Sequence, residues 1–89
     1  MQVSEPYPNP FNLAVRCDFA VDRAGRVRAE VWDLAGHRIA TLADRWYAAG
    51  RYPLIWDGRS AERIVPAGTY LLRVVTESAV ITRKAVLVK

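Results

Sequence analysis

The 89 residues hold one cysteine, Cys17, and one histidine, His37. An internal disulfide is therefore excluded, and a metal site built on side chains would have to rest mainly on carboxylates, which form no tight cluster in the sequence. A hydrolytic triad needs a nucleophile, a base and an orienting acid, and the only imidazole falls just after Gly36 at a hairpin tip, where solvent competes for its bonds. Glycine-rich phosphate loops are missing. Charges interrupt every hydrophobic stretch, so no run approaches the roughly 18 apolar residues of a membrane span. No segment offers a sustained helical stripe. The opening residues lack the basic and apolar blocks of a secretory leader, so an export address would have to lie in a longer parent protein.

The residues present describe a small folded domain. A chain of this size is expected to form one domain around one core, burying about 60–65% of the surface of its unfolded form. With 52% hydrophobic residues and 25% charged ones, it has the apolar content to fold and is not disordered. The net charge is +4. The cations are mostly arginines (Arg16, Arg26, Arg38, Arg51, Arg63 and Arg73) with acids such as Asp18, Glu30, Asp44 and Glu62 among them. Scattered in this way along the sequence, they predict an ordinary solvated surface and no nucleic-acid partner.

The side-chain period is two almost throughout. Residues 1–12 carry Pro6, Pro8 and Pro10, which predict an extended lead-in or linker, anchored by pockets for Tyr7 and Phe11; the domain proper is expected over 13–89. Leu13, Val15, Cys17, Phe19 and Val21 alternate with more polar neighbours, the pattern of a half-buried strand. Cys17 reads as a small buried apolar residue. Asp22 to Gly25 is a turn, and Val27, Ala29 and Val31 then alternate with Arg28, Glu30 and Trp32. Asp33, Leu34, Ala35 and Gly36 suit a hairpin loop. A strand follows over 38–42, and 43–49 reads as an irregular connection. Tyr52, Leu54 and Trp56 share one face before a turn at Asp57 and Gly58. Pro66, Ala67 and Gly68 form another turn, followed by inward Tyr70, Leu72 and Val74. The last run, 79–88, is apolar on both faces, which fits either a two-faced core strand or an edge open to a partner strand. About seven antiparallel strands with turns every 8–12 residues predict an all-β, immunoglobulin-like β-sandwich.

A sandwich this small offers little cleft, so no catalytic residues, cofactor or metal are expected. Outward aromatics can form a platform for sugar rings, which makes Trp32, Trp46 and Tyr47 the candidates for a carbohydrate-binding or adhesive module. The plainer expectation is that they cover a sheet edge or pack under a loop.

Three segments in order resemble a known family. They are Tyr7-Pro8-Asn9-Pro10-Phe11-Asn12, then Ala49-Gly50 leading to Trp56-Asp57-Gly58-Arg59, and Val65 to Arg73 followed by a basic-apolar ending at Lys89. Together they are similar to the type A C-terminal sorting domain of the type IX secretion system, and the order of motifs spans nearly the whole chain. The resemblance implies an immunoglobulin-like domain at the end of a larger secreted cargo protein. Its implied partners are the outer-membrane secretion translocon and a sortase-like peptidase that links cargo to the cell surface. On this sequence the family's elements fall at Pro8, Asn9 and Pro10, at Gly68 and Tyr70, and at Lys84 and Lys89; the ending is lighter in lysine than in many members. The stretch from Trp56 to Arg73 also resembles the immunoglobulin-like module of the flagellar hook-capping protein, which supports the fold and leaves the function open.

Overall fold

A computed structural model describes residues 1–60 and 63–89. Glu62, named above among the acids, lies outside them. The chain is all-β. Its strands are β1 (Gln2–Val3), β2 (Val15–Val21), β3 (Gly25–Asp33), β4 (Arg38–Tyr47), β5 (Gly50–Trp56), β6 (Arg59–Ser60), β7 (Arg63–Ile64), β8 (Gly68–Val75) and β9 (Val80–Leu87). Seven of them build two antiparallel sheets, β1-β2-β5 and β4-β3-β8-β9, and β6 with β7 forms a short separate ribbon. The sheets pack face to face as an immunoglobulin-like sandwich.

Alternation decides what the sandwich buries. Val15, Cys17, Phe19 and Val21 of β2, Leu54 and Trp56 of β5, Val27, Ala29 and Val31 of β3, and Tyr70, Leu72 and Val74 of β8 form one continuous core. Each set has period two, so the in-register pairing of β2 with β5 and of β3 with β8 places all of them between the layers. Leu13 does not belong to it. The strand begins at Val15, and Leu13 stands 80% exposed.

Three further expectations need correction. Residues 43–49 are no irregular connection, because β4 runs through to Tyr47 and turns directly into β5. Its register against β3 slips twice: Leu42 and Ile39 are each passed over between paired neighbours. Such bulges erase the period-two signal while leaving the strand paired, and they suit an outermost strand of a sheet. Glu30 was expected to point to solvent with Arg28 and Trp32, yet it is 2% exposed. It does face outward, but beneath a lid of its neighbours, described below.

The lead-in is the third correction. Residues 1–12 are not extended throughout: Gln2–Val3 is a strand, the chain bends at residues 8–10 with cis bonds at Tyr7-Pro8 and Asn9-Pro10, and the whole segment is part of the sandwich and no linker. β1 pairs with β2, the Ser4 N–H donates to Asp18 O (2.8 Å), and Tyr7 bridges to Arg16 through two backbone bonds. The chain then crosses to the other sheet. There the Phe11 N–H donates to Val86 O, and Phe11 O accepts from the Val88 N–H, both at 2.8 Å. Phe11 is buried in the core as expected, while Tyr7 enters no pocket and stays half exposed. A boundary at residue 13 would cut the domain.

Candidate recognition site at one pole

Pro8, Asn9 and Pro10 sit on the outer edge of β9. Proline has no N–H, so a proline-rich strand cannot by itself satisfy a neighbouring ladder. The Asn9 side chain supplies what is missing. Its Nδ2 donates to Lys84 O and its Oδ1 accepts from the Val86 N–H, each at 2.9 Å. One carboxamide thus imitates a peptide group. With the two Phe11 bonds, the edge of β9 is closed at Lys84 O, Val86 and Val88, which leaves less of it for another chain. The Val80 and Thr82 end of the edge lies beyond these bonds.

The other motif residues gather at the same end. Gly68 pairs with Leu87, and Tyr70 with Ala85. Gly68 has φ +156°, a conformation that L side chains rarely adopt. The Tyr70 ring is buried, and its hydroxyl donates to Pro66 O at 2.5 Å. This arrangement is the tyrosine corner of immunoglobulin-like domains. Burial and the nearby Asp33 carboxylate push the Tyr70 phenol above its ordinary value. Lys89 Nζ donates to Val65 O at 2.6 Å. Beneath lie three rings in edge contact, with Phe11 to Trp56 centroids 5.6 Å apart and Trp56 to Tyr70 5.0 Å apart. Trp56 Nε1 donates to Arg59 O (2.9 Å), so its one polar atom is satisfied. At Gly58 the φ of +74° disfavours any side chain, although an added Cβ would only touch the Leu87 methyls at 3.4 and 3.5 Å.

The seven motif residues therefore gather toward one pole of the sandwich, Lys84 through its backbone carbonyl while its side chain stands on the outer sheet face, although they come from the beginning, the third quarter and the end of the chain. Pro8, Asn9, Pro10, Lys84 and Lys89 form its exposed skin, and Gly68 and Tyr70 support them from within. The sequence did not point to the role of Asn9 as a ladder surrogate. The only available signal was an amide flanked by prolines that lack donors.

The aromatic candidates do not assemble. Tyr47 is buried against Phe19 and Tyr52, with centroids 5.1 and 4.7 Å away. Its neighbour Trp46 points the opposite way and is 64% exposed. Trp46 lies opposite Arg26, and Trp32 lies opposite Arg38, at the other end of β3. The two indoles are roughly 20 Å apart along the strand, too far for a shared platform.

The remaining chemistry is modest. His37 is exposed and meets Asp33 within its own hairpin; its backbone N–H donates to Asp33 Oδ1 (2.8 Å) and holds that carboxyl below the usual range. Cys17 is fully buried, and desolvation, aided by the Asp18 charge, pushes its thiol up to about 11. A thiol so placed is a packing group, not a nucleophile. Grooves open on both sides of the sandwich, one of about 760 Å³ between β4 and β5 and one of about 360 Å³ between β1 and β9. Among the described residues, no three His, Cys, Asp or Glu side chains converge in a way that could hold a metal ion.

Against family models, curated proteins and solved structures, the chain finds no match. The geometry stands on its own.

Proposed function

We propose that this chain is a folded targeting module: a C-terminal signal domain of a larger exported protein, recognised by the outer-membrane translocon of the type IX secretion system. It performs no turnover chemistry. Its cargo precedes it, and a sortase-like peptidase acts on the junction to leave the cargo secreted or at the cell surface. The observation that supports this reading is the convergence of the three motif elements on one pole. A receptor that reads Asn9, Lys84 and Lys89 together reads a folded domain, since these residues adjoin only when β8 and β9 are formed and the lead-in is clamped on. Such a signal distinguishes a finished export substrate from an unfolded one.

The test is export of a periplasmic reporter fused to residues 1–89 in a bacterium carrying this system. The reporter is expected outside the outer membrane, and the double variant K84A/K89A is expected to hold it in the periplasm while the purified domain stays folded. A wild-type fusion retained in the periplasm by an intact system would end the proposal.

A further inference from the structure

The outer face of the four-stranded sheet gathers positive charge that is dispersed along the sequence. Opposed residues of antiparallel strands point to the same face. Following the pairing across β4, β3, β8 and β9 puts Arg26, Arg28, Arg38, Arg73 and Lys84 on this surface with only two carboxylates, Glu30 and Asp44, a net +3. That corrects the expectation of evenly scattered charge. The outer face of the smaller sheet, by contrast, carries Arg16 and Arg51 against Asp18.

The cationic face is organised. Glu30 forms an ion pair with Arg28 Nε (3.1 Å) and accepts hydrogen bonds from Arg38 Nη1 (3.3 Å) and Trp32 Nε1 (3.2 Å). Burying a carboxylate on the outside of a sheet is costly, and for stability alone an apolar residue would serve as well. What Glu30 achieves is to fix two guanidinium groups and an indole while leaving each arginine further N–H donors. Arg73 lies over the Trp32 ring, 5.7 Å from its centroid. Among the described residues, neither Arg73 nor Lys84 has an acidic partner.

We infer that this face binds an acidic polysaccharide, a polymer of carboxylate-bearing sugars. Guanidinium forks match carboxylates bidentately, and a fixed planar array loses little entropy on engaging a repeating ligand. The exposed indole of Trp46, beside Arg26, offers an apolar ring face at the end of the array. The alternatives fit less well. An acidic peptide needs a groove for its side chains; the groove between β4 and β5 meets the cationic face only at its Arg38 margin, and the one between β1 and β9 is lined by neither Arg73 nor Lys84. Single-stranded nucleic acid needs several uncovered aromatic faces, and here Arg73 already lies over Trp32. This inference shares Lys84 with the targeting proposal but rests on the sheet face and not on the pole, and its readout is uronate binding, not export, so either can fail alone.

The experiment is a calorimetric titration of the intact domain with oligogalacturonate, repeated as salt is raised. Binding is expected at low ionic strength and should weaken with salt. The variant R73A/K84A should lose about tenfold or more in affinity. The charge-matched variant R23A/R51A, which removes two cations elsewhere, should stay within about twofold. No binding of the uronate at low salt would overturn the inference, as would equal losses in the two variants. A neutral galactan oligomer that binds as tightly would also overturn it. Tighter binding of a single-stranded oligonucleotide would assign the face to nucleic acid instead.

Discussion

The two poles of the sandwich are each built on three aromatic rings, but they are held together differently. At one, Phe19, Tyr47 and Tyr52 come from β2 and from the β4-β5 hairpin, and the Tyr52 hydroxyl closes that hairpin on Ala48 O at 2.7 Å. At the other, Phe11, Trp56 and Tyr70 come from the lead-in, the end of β5 and the start of β8, with Leu87 packed against Gly58 close by. The first pole is partly local: Tyr47 and Tyr52 meet within one hairpin, and only β2 must be added to bring in Phe19. The second exists only when the whole chain has closed. A surface mounted on the second pole therefore reports the completeness of folding, as the proposed targeting role would require.

The sharpest way to break this contrast is to truncate a ring at the closed pole. Phe11→Ala or Trp56→Ala is expected to cost about 3–5 kcal/mol, a large share of a small domain's stability, in urea unfolding followed by circular dichroism. If the lead-in were a mere linker, Phe11→Ala would cost almost nothing.

Cys17 lies between the poles and reports on the core they share. Its thiol titrates at about 11 when folded, against an ordinary 9.0. The native state thus holds the proton more tightly than the unfolded chain. The resulting stability is full below pH 9 and is lost as pH rises through 11, about 2–3 kcal/mol in all. Tyr70, also raised by burial, adds a loss of the same sign above its ordinary value of 10.0. Urea midpoints measured across this range should fall steeply in the wild type and less steeply in Cys17→Ala; parallel curves would contradict the burial of the thiol.

How much of this was legible beforehand follows from the physics of each element. The core strands were, because β2, β3, β5 and β8 keep an unbroken period of two. The second half of β4 was not, because the bulges at Leu42 and Ile39 shift the phase and make Trp46 and Tyr47 look like loop residues. Glu30 was correctly placed on an outer face, but its burial depends on Arg38, eight residues away on another strand. The lead-in, expected from its prolines to be extended, is a strand only at Gln2–Val3 and bends at residues 8–10, where two prolyl bonds are cis. What proline content cannot show is that a side-chain amide between two prolines completes a ladder with residues 75 and 77 positions later. The motif residues were named singly, and only the pairing of β8 with β9 brings them together.

A smaller effect separates the clamp from the rings beneath it. Asn9→Ala removes two hydrogen bonds at the surface and should cost about 1–2 kcal/mol, read as a drop in melting temperature. Asn9→Asp keeps the acceptor for Val86 and loses the donor to Lys84, so it should fall between the two. Smallest of all, Tyr52→Phe at the local pole should cost under about 1 kcal/mol, since its hydroxyl bond is exposed to water. Tyr70→Phe, whose bond is part-buried, should cost more than Tyr52→Phe.

The central claim is that the lead-in is clamped into the sandwich along β9, and amide hydrogen exchange at Val86 and Val88 tests it most directly. These two N–H groups point away from β8, and in this account only Asn9 Oδ1 and Phe11 O protect them. Both are predicted to exchange slowly in the wild type, with Val86 released selectively by Asn9→Ala while amides of β3 remain protected. Rapid exchange at both positions in the unmodified domain would contradict the account.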